Sequence, residues 1–257
     1  MELRTYTDKE LQMIADEVGE RQGWDFSRMS TERDPVPWDY IEVVSRFLRP
    51  TDTVLDIGTG GGERLLSLSD KYLSAVGVDP DPEMVRVARG NAEGNSKVRF
   101  LLSGAERLEL LDDDAFDVVL TRHAPTFVPE LDRVTKAGGL FICQGVGSRN
   151  MANIRQAFNT GSEALYDHAH QSMLSDLTTR GWRLVGEGHY DVRYWVKDVP
   201  SIIFWFRAIA GANEVPGDFS IATHHGVVNA LIQRFGSHRG LETNEHRTLV
   251  IAQKPDA

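Results

Sequence analysis

Val54-Leu55-Asp56-Ile57-Gly58-Thr59-Gly60-Gly61-Gly62 is the stretch on which the reading of this chain turns. Apolar residues lead into an acid, and glycines then fall at 58, 60, 61 and 62. The pattern predicts a strand that runs through a glycine turn into a helix. Glycine permits positive φ and leaves no Cβ where a ligand lies on the backbone. The helix that follows offers unpaired N–H groups. A dinucleotide-binding turn needs G-x-G-x-x-G. Counted from Gly58, the sixth position is Glu63, which sets a carboxylate where a pyrophosphate would sit. A glycine turn with an acid beside it suits a ligand carrying an amine and a ribose.

The neighbouring segments extend that pattern. Ala75-Val76-Gly77-Val78-Asp79 is an apolar strand ending in an acid, placed where a carboxylate accepts both ribose hydroxyls. Asp81 and Pro82 then read as N-cap and first helical residue of a helix through Ala88 and Ala92. Val98–Leu102, Phe116–Thr121 and Leu140–Cys143 are the next strands. Strands alternating with helices imply a parallel sheet with right-handed crossovers, whose ligand lies at the carboxyl ends of the strands. Asp56, Gly58, Asp79, Ala105, Glu106 and Arg122 all fall at or just after such ends.

VLDIGTGGG at 54–62, VGVDPDPEMVRVAR at 76–89, GAERL at 104–108, FDVVLTRHA at 116–124 and LDRVTKAGGLFI at 131–142 stand in an order that resembles the class I S-adenosylmethionine-dependent methyltransferases of the small-molecule type. The likeness runs from about Thr53 to Gly145; Ala137 departs from the family's usual Lys-Pro-Gly-Gly. The resemblance implies a Rossmann-like α/β sheet of seven strands, mostly parallel with an antiparallel last strand, and helices on both faces. The EHRTLVIAQKP ending at 245–255 suits that last strand, inserted between the fifth and sixth. It implies S-adenosyl-L-methionine as cofactor. Gly58, Thr59 and Gly60 would line its methionine part, and Asp56 would reach its amine. Asp79, followed by Pro80, would hold the ribose, and Ala105 and Glu106 would border the adenine. Arg122 and His123 would stand beside the methyl group. Each acid also has a plainer reading: Asp56 as a cap on the glycine turn, Asp79 as a second N-cap, Glu106 as a solvated loop acid.

Methyl transfer from an activated donor asks mainly for alignment, so the lack of a catalytic triad is expected. His123 is the candidate general base, its ordinary pKa lying near working pH; the alternative is a histidine that only shapes the pocket. Trp38 and Tyr194 are candidate substrate-wall residues, and Tyr40 is weighed beside Trp38. Aromatics crowd positions 190–219, as a flat apolar substrate or simple core packing would require. His168 and His170 lie two apart on a helix, His224 and His225 are adjacent, and no acid stands at ligand spacing, so no metal is expected. Thr121-Arg122-His123-Ala124 replaces the Asn/Asp-Pro-Pro-Tyr of base-amine methylation, and no Pro-Cys is present for cytosine C5 chemistry.

Composition agrees with a packed enzyme domain. The 257 residues are 41% hydrophobic, and no apolar run approaches the ~18 residues that span a membrane. The start, MELRTYTDKELQ, lacks a signal-peptide core, and the lone Cys143 sits inside an expected buried strand; the reading is cytoplasmic. A formal charge of −10 argues against a nucleic-acid substrate. One methyltransferase domain is expected over 1–257. It comprises an N-terminal helical cap (1–50), a cofactor-binding core (51–147) and a C-terminal part with a helical substrate-side insertion (148–257). A capping box at Thr7 and Glu10 opens the first helix, whose spacing holds to about Gly23; a polar connector, Ser27 to Asp34, follows, and a helix beginning at Pro35 precedes the core. A later helix over about 162–180 turns Leu165, Met173, Leu174 and Leu177 inward. The expected activity is methylation of O or N on a neutral or weakly charged small molecule, by a monomer or homodimer. The alternatives are an RNA methyltransferase of the same fold and a binding module without turnover.

Overall fold

The computed structural model describes residues 3–19, 26–161 and 163–256. Along the chain the elements are α1 (Asp8–Val18), β1 (Thr31–Arg33), α2 (Tyr40–Phe47), β2 (Thr53–Ile57), α3 (Glu63–Ser67), β3 (Ser74–Asp79), α4 (Pro82–Asn91) and β4 (Val98–Leu102). Then come β5 (Phe116–Arg122), α5 (Val128–Val134), β6 (Thr135–Val146), α6 (Ala152–Phe158), α7 (Glu163–Thr179) and β7 (Arg183–Val196). The chain ends with α8 (Val199–Ala208), α9 (Ile221–Phe235), β8 (Gly236–Ser237) and β9 (Gly240–Gln253). Two compact units emerge, one of residues 37–146, 167–189 and 247–257, the other of 1–36, 147–166 and 190–246.

The first of these units holds the parallel sheet. Its strands lie in the order β4-β3-β2-β5-β6-β9-β7, with β7 and β9 contributing the parts that belong to this unit. β2 runs parallel to β3 and β5, placing Asp56 opposite Gly77 and Leu120, and β3 runs parallel to β4, placing Asp79 opposite Leu102. β9 is antiparallel to β6, with Cys143 opposite Val250. These seven strands keep the order expected from the sequence, antiparallel closing strand included; the sheet as a whole has nine strands among the described residues, β1 pairing with β7 and β8 with β9. Both faces are covered, because side chains alternate across each strand. Leu55, Val76, Phe141 and Val119 pack on one side with Leu177 and Trp182; Val54, Ala75, Ile142 and Val118 pack on the other with Tyr72, Leu65 and Val44.

The other unit buries its own core. Leu11 and Ala15 of α1, Ile202, Ile203 and Phe206 of α8 and Val228, Leu231 and Ile232 of α9 share one apolar cluster. The expected capping box is present: Thr7 Oγ1 accepts from Glu10 N–H while the Glu10 carboxylate accepts from Thr7 N–H. Phe158 meets Phe206 and Phe219 edge to face with centroids 5.3 and 5.8 Å apart. Tyr190, Trp195, Phe204, Phe206 and Phe219 are all buried, so most of the aromatic run is packing.

Four local expectations differ from what is observed. The helix expected from Pro35 begins at Tyr40, because the Asp39 carboxylate accepts from the N–H groups of Ile41 and Glu42 and fixes the start there. The helix expected to reach about Gly23 ends at Val18, with Gly19 at φ +69°; residues 20–25 lie outside the described residues. The connector over 27–34 contains β1, which pairs Thr31 with Val196. Leu165, expected inward, is 53% exposed, whereas Met173 and Leu177 are buried as expected.

Candidate functional site

Backbone hydrogen bonds tie the start of the glycine turn to the neighbouring strand. The N–H groups of Gly58 and Thr59 both donate to the carbonyl of Val78, at 2.9 and 3.0 Å. Gly58 sits at φ +74°, in the left-handed region, and a Cβ there would stand 2.3 Å from Cβ of Ala124. Glycine is therefore required twice over, for its dihedral and for the close approach of the β5 end. Gly60 is likewise left-handed, at φ +58°. Asn91 of α4 donates from its amide to the carbonyl of Gly61, at 2.8 Å, steadying the far side of the loop.

Two acids flank this turn. Asp56 is buried, and its Oδ2 accepts from the Thr59 hydroxyl at 2.8 Å. Burial pushes its pKa up to about 6; the Thr59 hydrogen bond opposes the rise, the charge of Asp79 adds to it, and the guanidinium groups of Arg122 and Arg64 oppose it. Asp79 is also buried. Its Oδ2 accepts from Gly60 N–H at 2.9 Å and its Oδ1 from Asp81 N–H at 3.0 Å. The turn-cap alternative weighed for Asp56 is thus present, through Thr59; the N-cap of α4 is Asp81 and not Asp79, whose carboxylate instead accepts from the Gly60 and Asp81 amides. Each carboxylate still has acceptor capacity beyond these bonds.

Beyond Asp79, Pro80, Leu102, Ser103, Gly104, Glu106 and Arg107 line a shallow cavity of about 360 Å³ at the ends of β3 and β4. Ala105 is buried and Glu106 is exposed.

At the end of β5 the chain turns sharply. His123 has φ +59°, a left-handed conformation uncommon outside glycine, and its N–H donates to the carbonyl of Gln144 at 2.9 Å. The residue is exposed overall, though its imidazole is desolvated by the protein around it. Desolvation first, then the charges of Arg247, Arg122 and Arg64, hold its pKa well below the usual histidine value. Its Nε2 lies 3.4 Å from the amide nitrogen of Gln144, and the Gln144 Oε1 accepts from the Trp38 indole N–H at 3.0 Å. Trp38, Gln144 and His123 therefore form one chain of contacts. Gln144 was not singled out in the sequence; a polar residue inside the apolar run Phe141-Ile142-Cys143 is the signal that points to it.

Tyr40 is buried, with its hydroxyl near the carbonyls of Thr121 and Ile142 at 3.3 and 3.4 Å. It ties α2 to the ends of β5 and β6. Tyr194 belongs to the other unit, where its ring centroid lies 5.9 Å from that of Trp205. Cys143 is buried, and burial pushes its thiol up to about 12, so it is an inert apolar residue at neutral pH.

A protein-family model described as a methyltransferase domain matches residues 55–143, the span from β2 to β6 that carries both acids and His123. The chain is 38% identical to the uncharacterized methyltransferase YcgJ of Bacillus subtilis over 103 residues, which are 37% of this chain and 40% of YcgJ. It is 25% identical over 228 residues to the malonyl-[acyl-carrier protein] O-methyltransferase of a Marinomonas species, covering 82% of this chain and 83% of that one. The crystal structure of YcgJ superposes with a TM-score of 0.58 at 20% identity over 85% of this chain and 99% of that one, which shows the shared fold. Residues 55–143 thus match a methyltransferase domain, and the chain shares the fold of YcgJ, in line with its resemblance to the class I S-adenosylmethionine-dependent methyltransferases.

Proposed function

We propose that this protein transfers a methyl group from S-adenosylmethionine to an oxygen or nitrogen of a small-molecule acceptor. One observation carries the reading: two buried carboxylates, Asp56 and Asp79, stand at the carboxyl ends of adjacent strands on either side of a left-handed glycine turn. That donor set fits a ligand bearing an ammonium group and a diol. It does not fit a pyrophosphate, which would meet Asp56, Asp79 and Glu63 together.

In this reading Asp56 takes the ligand ammonium, and Gly58, Thr59 and Gly60 lie along its aliphatic part. Asp79 accepts from both ribose hydroxyls. Pro80, Ala105 and Glu106 border the adenine in the cavity beyond β3. The bound group supplies an electrophilic methyl on a sulfonium, so the protein's task is alignment and exclusion of water. In this reading Arg122 and His123, at the end of β5, face the reaction, and Trp38 is a proposed wall for the acceptor. The relative similar over most of this chain is named as an O-methyltransferase, which favours an oxygen acceptor. The net charge of −10 disfavours RNA. The cytoplasm is the proposed location; among the described residues no helix is long and apolar enough to cross a membrane.

Asp79→Ala tests the ribose assignment. Cofactor affinity is expected to fall at least about tenfold, since two charge-assisted hydrogen bonds vanish. The ligand-free protein is also expected to lose about 1–3 kcal/mol, because the Gly60 N–H is left buried without its acceptor. Unchanged affinity in calorimetry would reject the assignment. His123→Asn tests the reaction side, asparagine being a residue that tolerates the left-handed backbone. Turnover is expected to drop far more than cofactor affinity; equal losses would make His123 a cofactor contact only. The acceptor class is tested with methyl-labelled cofactor and a metabolite extract, read by mass spectrometry. Label in small molecules supports the proposal. Label confined to RNA, or binding without any transfer, contradicts it.

A further inference from the structure

The first half of β7 is an open edge of the sheet. On one side β7 pairs with β9. On the other, β1 covers only residues 194–196, with one further bond from the Asp34 N–H to the Arg193 carbonyl. Among the described residues no strand covers 183–188 on that side. The run reads Arg183-Leu184-Val185-Gly186-Glu187-Gly188 and holds neither proline nor lysine, the residues that commonly blunt a free edge. Leu184 and Val185 are instead 40% and 41% exposed, one on each face of the strand.

The neighbouring strands fix which backbone groups point outward. His246 accepts from the Gly147 N–H, and the Lys254 N–H donates to the Gly139 carbonyl. Even-numbered residues along this part of β9 therefore turn their backbone groups to β6, and odd-numbered ones, Ile251 among them, turn theirs to β7. Gly186 lies against Ile251, where a Cβ would stand 3.4 Å from Cδ1. Gly186 thus turns its N–H and C=O inward to β9, and Val185 and Glu187 turn theirs to the open side. The bond that Arg193 accepts from Asp34, further along the strand, keeps the same odd-numbered alternation.

This edge is complementary to a second copy of itself. Antiparallel pairing about a twofold axis at Val185 sets each Val185 opposite the other. Arg183 then falls opposite Glu187 of the second copy, and Glu187 opposite its Arg183. These are the residues whose backbone groups face outward, so each forms a hydrogen-bonded pair. On the other face Leu184 falls opposite Gly186, which has no side chain to obstruct it. Neighbouring registers lack this match. An axis at Leu184 sets Arg183 against Val185, one at Gly186 sets it against His189, and one at Glu187 brings two carboxylates together. Within one chain Arg183 donates to Gln253 Oε1, and the Glu187 carboxylate stands 3.9 Å from His170 Nε2; both Arg183 and Glu187 are exposed.

We propose that the open edge of β7 is the interface of a homodimer, formed by antiparallel pairing of two β7 strands about Val185. The ladder is short and its apolar centre small, so the dimer is weak and dissociates on dilution.

Sedimentation of the intact protein between about 1 and 200 µM is expected to show monomer passing into dimer. Glu187→Arg sets two cations against each other at both ends and is expected to weaken association at least about tenfold. Arg183→Glu combined with Glu187→Arg restores opposite charges and is expected to restore the dimer. Thermal melting verifies that each variant folds. Oxidation of Val185→Cys is expected to link two chains, because the paired Cα atoms stand about 5.5 Å apart, within disulfide reach. Arg183→Cys, about 13 Å along the strand from its own copy, is expected to stay unlinked. The buried Cys143 takes no part. A monomer throughout the concentration range would overturn the proposal. So would a dimer indifferent to Glu187→Arg, or linking through Arg183→Cys in place of Val185→Cys. None of these results depends on cofactor binding, so they stand apart from the methyltransferase reading.

Discussion

Asp56→Asn is expected to raise the melting temperature of the ligand-free protein while weakening S-adenosylmethionine binding. The carboxyl is 9% exposed, and burial lifts its pKa from 3.8 to about 6. In the unfolded chain it ionises near 3.8; in the folded one it keeps its proton until about 6. Stability therefore falls as pH rises through that window and is flat above it. At neutral pH a charge is held in a place that disfavours it, at a cost of about 3 kcal/mol at most. Asparagine removes the charge and keeps an oxygen for the Thr59 hydroxyl. A gain of about 1–3 kcal/mol is expected, or several degrees in Tm for a protein of this size. The gap between variant and wild type should open between about pH 4 and pH 6 and close below. Binding should move the other way: losing the charge-assisted contact to the ligand ammonium weakens affinity by about ten- to a hundredfold. Wild-type affinity should also fall as pH drops below about 6, by up to about tenfold per unit, and the variant should not follow. Scanning calorimetry across pH, with titrations alongside, reads both; a variant less stable than wild type at neutral pH would show that Asp56 is not a strained ligand-binding charge.

Gly58→Ala carries the second large effect, this time on the fold. The left-handed φ of +74° costs a residue with a Cβ about 1–2 kcal/mol, and the contact at 2.3 Å with the Ala124 Cβ adds about 1–3 kcal/mol of overpacking. A loss of about 2–5 kcal/mol in urea unfolding is expected. Ala124→Gly removes the opposing methyl, so in the Gly58→Ala background it should restore the steric part and leave the backbone part. Additive losses in the double variant would mean that the two positions do not meet. The pair joins the glycine turn of β2 to the residue that follows His123, so the same contact sets the spacing between that turn and the end of β5.

Much of this was legible in the sequence because the signals are local. An apolar run, an acid and glycines at 58 and 60 dictate a strand and a tight turn wherever they occur. Asp79 after its own apolar run, and Asp81-Pro82 at the start of α4, are equally self-contained. What escaped depends on distant partners. β1 is three residues, Thr31–Arg33, none of them apolar; only its pairing with β7 makes it a strand. Pro35 and Pro37 imitate a helix start, but Asp39 wins because its carboxylate caps α2. The contact between Trp38 and Gln144 bridges 106 positions, and that between Gln144 and His123 bridges 21; no periodicity reports either one. The resemblance would set His123 beside the reaction, while its side-chain neighbour is a glutamine that pattern alone assigns to an apolar strand.

Asp56, Asp79 and the glycine turn between them are the proposed binding site for S-adenosylmethionine. Isothermal titration of the intact protein with S-adenosylmethionine, and in parallel with NADH, tests it most directly. Saturable binding of one S-adenosylmethionine per chain is expected, weakened at least about tenfold by Asp79→Ala, with no heat from NADH. No binding at millimolar S-adenosylmethionine, or binding of NADH in its place, would contradict it.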